Sequence, residues 1–166
     1  PSEKWVTVNG LDYHYRDWGG SGQPMVLLHG LASSCHIWDM VAPILAKDYA
    51  VIALDQRGHG ESAKPTEGYD FASATQDVLG VIDHLGGPPP IVVGHSWGGS
   101  VALELAVRAP ESLKGMAWVE DQMRQRAAAA PLTFEDVCWS IQTDKLTGDT
   151  AGYGQVVPLV HPSHPD

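Results

Sequence analysis

The sequence predicts an α/β fold, a mostly parallel sheet with helices on both faces. Short apolar runs alternate with longer segments of helical period, which is the pattern of a sheet wound with crossover helices. Three of those runs, Met25–Leu28, Val51–Leu54 and Ile91–Val93, are apolar without alternation. Strands covered on both faces read that way, so these three form the expected centre of the sheet.

Taken in order, Trp5–Val8 and Leu11–Trp18 read as an antiparallel pair turning at Asn9-Gly10, a dipeptide that tolerates the positive φ angles of a tight hairpin. Gly19-Gly20-Ser21-Gly22 then breaks the pattern ahead of the first central strand. Val78, Ile82 and Leu85 recur at helical spacing and predict a helix over about Ser73–Leu85, ended by Gly86-Gly87 and three prolines. Gly98–Arg108 is a second helix, apolar nearly all round, with Glu104 and Arg108 as an i,i+4 charged pair. Leu113–Val119 resembles one more buried strand. After Glu120-Asp121 the character changes, with an alanine run, Pro131, an expected helix near Thr133–Gln142 and a Gly- and Pro-rich end.

Composition narrows the function. The 166 residues carry twenty Asp and Glu against ten Lys and Arg, a net charge of -10 at pH 7, which repels phosphate backbones and anionic membranes. Neither nucleic acid nor membrane is an expected partner. Cys35 and Cys138 match no zinc or redox spacing and read as small buried side chains. Pro1–Lys4 is too short and polar for a signal peptide, so a reducing, cytoplasmic location is expected. No histidine pair has the His-x-x-x-His spacing of a catalytic zinc site, and no metal or cofactor is expected.

Gly94-His95-Ser96-Trp97-Gly98 follows an apolar strand and precedes a helix, the context in which G-x-S-x-G means a nucleophile elbow. The strained turn presents the Ser96 hydroxyl, and the helix behind it aims free N–H groups at an oxyanion beside it. Leu28-His29-Gly30-Leu31 ends another central strand. The backbone N–H groups of Leu31 and Trp97 are the expected oxyanion hole. His29, Gly30 and Trp38 are expected at the substrate pocket, with Leu31 and Trp97 adding apolar surface suited to an uncharged hydrophobic group. For His29 a ring bonded to local backbone is preferred to a catalytic role.

The order His29-Gly30, then Asp55-Gln56-Arg57-Gly58-His59-Gly60-Glu61-Ser62, then Gly94-His95-Ser96-Trp97-Gly98-Gly99 resembles the α/β-hydrolase fold family, over about Trp5 to Asp121. The resemblance implies that Asp55–Ser62 is a loop beside the active site, with Arg57 paired to Asp55, turns at Gly58 and Gly60, and a catalytic His59 as the alternative. It implies a serine esterase-like branch, since the epoxide-hydrolase and haloalkane-dehalogenase branches carry aspartate where Ser96 stands. In the family a catalytic acid and then a histidine follow the nucleophile. The chain therefore resembles a core lacking the usual C-terminal strands, residues 1–121, followed by a cap-like or oligomerisation segment, 122–166.

Lys114–Glu120 resembles the sixth strand of dehalogenases that carry their acid at its end, which maps that role onto Glu120 with Asp121 as neighbour. After Ser96 the histidines are His161 and His164, the candidate bases, with His36 another by proximity. The function expected is a serine hydrolase of small hydrophobic carboxylic esters acting through an acyl-enzyme. The alternative is a weak or inactive truncated hydrolase serving as an assembly or ligand-binding module. Leu113–Val119, read as an exposed sheet edge, predicts a homodimer or larger assembly.

Overall fold

A computed structural model describes residues 1–119 and two short strands, Trp139–Ile141 and Val157–Pro158. Strands β1 (Ser2–Val8) and β2 (Leu11–Gly19) form the expected hairpin, Val8 opposite Leu11. Asn9 and Gly10 turn it at φ 53° and 77°, the left-handed region that a two-residue hairpin needs. Strands β3 (Gln23–Leu28), β4 (Tyr49–Leu54), β5 (Ile91–His95) and β6 (Gly115–Val119) are mutually parallel. β7 (Trp139–Ile141) and β8 (Val157–Pro158) continue the sheet, in the order β1-β2-β4-β3-β5-β6-β7-β8.

Alternation along the central strands builds two cores, because successive side chains point to opposite faces. Val26 and Leu28 face helices α2 (Phe71–Leu85) and α3 (Trp97–Arg108), packing with Val78, Val81, Val101 and Leu105. Met25 and Leu27 face the other way, onto a 3-10 turn at Cys35–Trp38 and a one-turn helix α1 (Ala42–Leu45). Asp70 caps α2 by accepting the Ser73 N–H at 2.9 Å. Glu104 and Arg108 on α3 make their expected pair at 2.5 Å. Among the described residues no helix is long and apolar enough to cross a membrane.

Two expectations change. β6 is not the sheet's edge, since β7 pairs with it antiparallel, Met116 opposite Ile141. The premise of an unpaired apolar edge seeking a second chain is therefore not met. Residues 139–141 of the expected helix near Thr133–Gln142 are strand, and the remainder of that helix lies outside the described residues.

Candidate active site

Parallel pairing of β3 with β5 sets Leu28 against Gly94, so the segments leaving both carboxyl ends, His29–Leu31 and His95–Trp97, emerge side by side. At this junction Ser96 has φ 50° and ψ -114°, a conformation strained for any residue with a side chain. Its N–H donates to Val119 O at 3.2 Å, tying it to the end of β6, and its carbonyl accepts from Gly99 and Ser100 at 2.9 and 3.2 Å. The residue is exposed, and among the described residues no hydrogen bond engages its hydroxyl. Space explains the glycines: a Cβ on Gly98 would stand 2.5 Å from Leu28 O, and one on Gly94 2.2 Å from Gly98 O. One on Gly30 would lie 3.3 Å from the Ser96 Cβ, so the backbone after β3 runs directly against Ser96.

The peptide joining Gly30 to Leu31 is aimed by His29. Its Nδ1–H donates to Gly30 O at 2.7 Å while its Nε2 accepts the Gln56 N–H at 3.1 Å. A trans peptide points its N–H opposite its carbonyl, so anchoring Gly30 O fixes the direction of the Leu31 N–H. Burial pushes the His29 imidazole below its usual value and keeps it in the neutral form this tautomer requires. Among the described residues neither the Leu31 nor the Trp97 N–H has a backbone acceptor. The next peptide is held as well, the Ala32 N–H donating to His59 Nε2 at 3.2 Å.

The pocket residues separate. Leu31 is 64% exposed, whereas His29 is fully buried with both ring nitrogens committed, so it stands behind the loop and not in an open pocket. Trp38 is 3% exposed inside the second core, because the 3-10 turn folds it back over β3 and β4. Trp97 is half-buried, its ring stacked on Phe71 of α2 with centroids 4.3 Å apart. Sequence reading missed Phe71, whose only signal was an aromatic at the first turn of α2.

Asp55 is not the partner of Arg57. Arg57 turns instead to Asp77 of α2 at 2.5 and 2.8 Å and to Gly68 O at 2.6 Å. Asp55 is a buried hub, accepting the Cys35 N–H at 2.6 Å, the His14 ring at 2.8 Å and the Glu61 N–H at 3.0 Å. Burial raises its pKa, and those donors outweigh burial and hold the carboxyl below its usual range. Gly58 and Gly60 make their turns at φ 79° and 50°. His14, Cys35 and Asp55 place potential metal ligands within 4.8 Å of one another. The Asp55 oxygens are already spent on those donors, and burial and Asp55 together push the Cys35 thiol up, away from the thiolate a metal needs.

His36 is exposed and its Nδ1 lies 3.0 Å from Asp39 and 2.9 Å from Arg16. Glu120, Asp121, His161 and His164 lie outside the described residues.

With this geometry in place, comparison with known proteins gives the family. A profile of the alpha/beta hydrolase fold matches residues 23–139. The chain is 46% identical over 99 residues to a soluble epoxide hydrolase of Corynebacterium sp. (strain C12), covering 60% of this chain and 34% of the relative. It is 35% identical over 107 residues to the bifunctional esterase/perhydrolase DCH of Acinetobacter calcoaceticus, covering 63% of this chain and 39% of that protein. The crystal structure of epoxide hydrolase A from Mycobacterium thermoresistibile superposes with a TM-score of 0.68 at 33% identity, over 71% of this chain and 38% of that one. The chain thus spans well under half the length of these relatives. With the ordered motifs, the parallel core and the family profile in agreement, the chain belongs to the alpha/beta hydrolase fold family.

Proposed function

We propose that the chain carries the nucleophile half of a serine hydrolase acting on small hydrophobic carboxylic esters. The observation that carries this reading is the chemical identity of the residue at the elbow, an exposed serine at φ 50° with the Gly30 backbone against it. Kinship to a soluble epoxide hydrolase concerns the scaffold. Chemistry at residue 96 separates the substrates. A serine oxygen that opened an epoxide or displaced a halide would form an ether, which water does not hydrolyse, and the site would stop after one event. Attack on an ester carbonyl gives an acyl-enzyme, itself an ester, which water can clear.

In this reading a histidine base takes the Ser96 hydroxyl proton as Oγ attacks the carbonyl, and the oxyanion develops toward the N–H groups of Leu31 and Trp97. On collapse the ester C–O bond breaks and the leaving oxygen takes that proton to depart as an alcohol or phenol. Two fixed donors in a preorganised loop strengthen as charge forms, which is the part of catalysis the core itself can supply. The acid is assigned to Glu120 or Asp121, which follow Val119, the residue whose carbonyl holds the Ser96 N–H. His161 and His164 are the assigned bases. The rings of His14, His29, His36 and His59 are each engaged elsewhere. Leu31, 64% exposed, offers the acyl group an apolar contact at the mouth.

A fluorophosphonate probe tests the proposal. Stoichiometric modification at Ser96 at neutral pH, abolished in Ser96→Ala, is the expected result. Absence of labelling in the wild type would overturn it and leave a binding or assembly module, and steady turnover of styrene oxide would overturn it in favour of an epoxide-opening enzyme that does not use Ser96 as its nucleophile.

A further inference from the structure

The loop after β3 contains a second strained residue, Ala32 at φ 54°, directly after the oxyanion candidate Leu31. Alanine gains nothing from that conformation, so something else holds it there. The Ala32 N–H donates to His59 Nε2 at 3.2 Å. On the far side of the ring, His59 Nδ1 lies 2.9 Å from Arg57 O. A carbonyl can only accept, so Nδ1 carries the proton and Nε2 presents its lone pair to Ala32. The backbone of His59 is fixed in turn, its N–H on Gln56 O at 3.0 Å and its carbonyl accepting from Ser62 at 3.1 Å. The His29 ring meets it edge-on at 5.0 Å.

We propose that His59 is a positioning residue for the oxyanion loop. As a neutral ring it holds the peptide next to the Leu31 donor, and on protonation it lets that peptide go. His29 aims the Gly30–Leu31 peptide from one side and His59 the Leu31–Ala32 peptide from the other, so the donor has no freedom to turn. Protonating Nε2 replaces an acceptor with a donor facing another donor, and the bond to Ala32 is lost. The titratable and charged groups around the ring do not substitute for it. His29 is committed to Gly30 and Gln56, Arg57 to Asp77, Lys64 to the Gly60 and Ser62 carbonyls, and Asp55 to His14, Cys35 and Glu61. Glu61, on the same loop, contributes its N–H to Asp55, and His95 stands across Gly30. The inference rests on the serine-hydrolase reading for its effect on rate and on the hydrogen-bond geometry alone for its effect on the loop.

The test uses the full chain and two variants. His59→Gln keeps an acceptor at the reach of Nε2 and cannot titrate, whereas His59→Phe keeps the volume and removes the acceptor. Fluorophosphonate labelling at Ser96 is expected to fall about tenfold in His59→Phe, the scale of one hydrogen bond, and to stay within about twofold of wild type in His59→Gln. As pH is lowered from about 8 to about 5, wild-type labelling is expected to fall more steeply than that of His59→Gln. Nitrogen-15 spectra of the wild-type imidazole are expected to show the proton on Nδ1, and exchange of the Ala32 amide to accelerate as His59 protonates. Equal labelling in His59→Phe and wild type, or a proton on Nε2 at neutral pH, would overturn the proposal. If wild type is not labelled, the serine reading fails, and the spectra still decide the role of His59. If His59→Phe does not fold, the spectra and the pH profile of His59→Gln decide it.

Discussion

Gly98→Ala places a methyl group where α3 touches the central strand. Its Cβ would stand 2.5 Å from Leu28 O, 2.7 Å from His29 O and 2.7 Å from Leu28 C, all of them backbone atoms. Carbon to oxygen contacts settle near about 3.3 Å, so the elbow and β3 must part by about 0.8 Å. Such overpacking costs about 1–3 kcal/mol, and the upper end applies because no flexible side chain can yield. Alanine also gains about 1 kcal/mol over glycine within a helix. The clash wins, leaving a loss of about 2 kcal/mol, which for a chain of this size lowers Tm by about 4–8 °C. The control is Gly115→Ala on β6, where a Cβ meets nothing within 4 Å and φ is ordinary. There the gain in strand stiffness, about 0.5–1 kcal/mol, raises Tm slightly. Circular dichroism melts of the two variants should therefore move in opposite directions, and labelling of Ser96 should slow only in Gly98→Ala. A Gly98→Ala melt at or above the wild-type temperature would refute the reasoning that this approach is what demands glycine.

Ser96→Gly should abolish labelling yet raise the melting temperature, because relief of a backbone strain of about 1–3 kcal/mol exceeds the added freedom of the unfolded chain; a lower melting temperature would count against strain at the elbow. Asp77→Ala leaves the Arg57 guanidinium, 11% exposed, without its carboxylate, and urea unfolding should register a loss of about 3–5 kcal/mol. A loss below about 1 kcal/mol would mean that Arg57 finds another partner. Asp55 has its folded pKa depressed, so its stabilisation is fully present above the unfolded carboxylate value of about 3.9 and is lost as pH falls through the lower folded value. Asp55→Asn should be less stable than wild type at neutral pH and lose less stability on acidification below about pH 4; parallel acid profiles would remove Asp55 as the hub.

Legibility in the sequence followed the range of the interaction. β3, β4 and β5 were readable because burial on both faces leaves an uninterrupted apolar run, and Ser96 because its strand, turn and helix are contiguous. The 3-10 turn at Cys35–Trp38 and the one-turn α1 have no period to read at four residues each. Without them Trp38 resembled a pocket residue, whereas the turn carries it into the core. The family resemblance pairs Arg57 with Asp55 of its own loop. Its real partner, Asp77, is twenty residues on and reaches it only because α2 folds back over the sheet with Asp77 on its buried face.

The histidines show the same division from the other side. A histidine near the proposed nucleophile Ser96 invites a catalytic reading, yet the ring partners argue otherwise. His29 donates to the carbonyl of Gly30 and His59 accepts the N–H of Ala32, so two consecutive peptides are held by two rings of opposite polarity. Neither ring retains a nitrogen for a proton from Ser96. Their second partners, the Gln56 N–H and the Arg57 carbonyl, both belong to the loop after β4. That loop is anchored beneath by Asp55 and beside by the buried Arg57–Asp77 pair. Strain at Ala32 and at Ser96, each of order about 1–3 kcal/mol, is thus borne by contacts that reach the serine only through backbone. Under the proposed serine-hydrolase reading, a site built this way holds the Leu31 and Trp97 donors still before any substrate arrives. Oxyanion stabilisation needs that, because a donor that had to reorient as charge developed would lose most of its advantage over water.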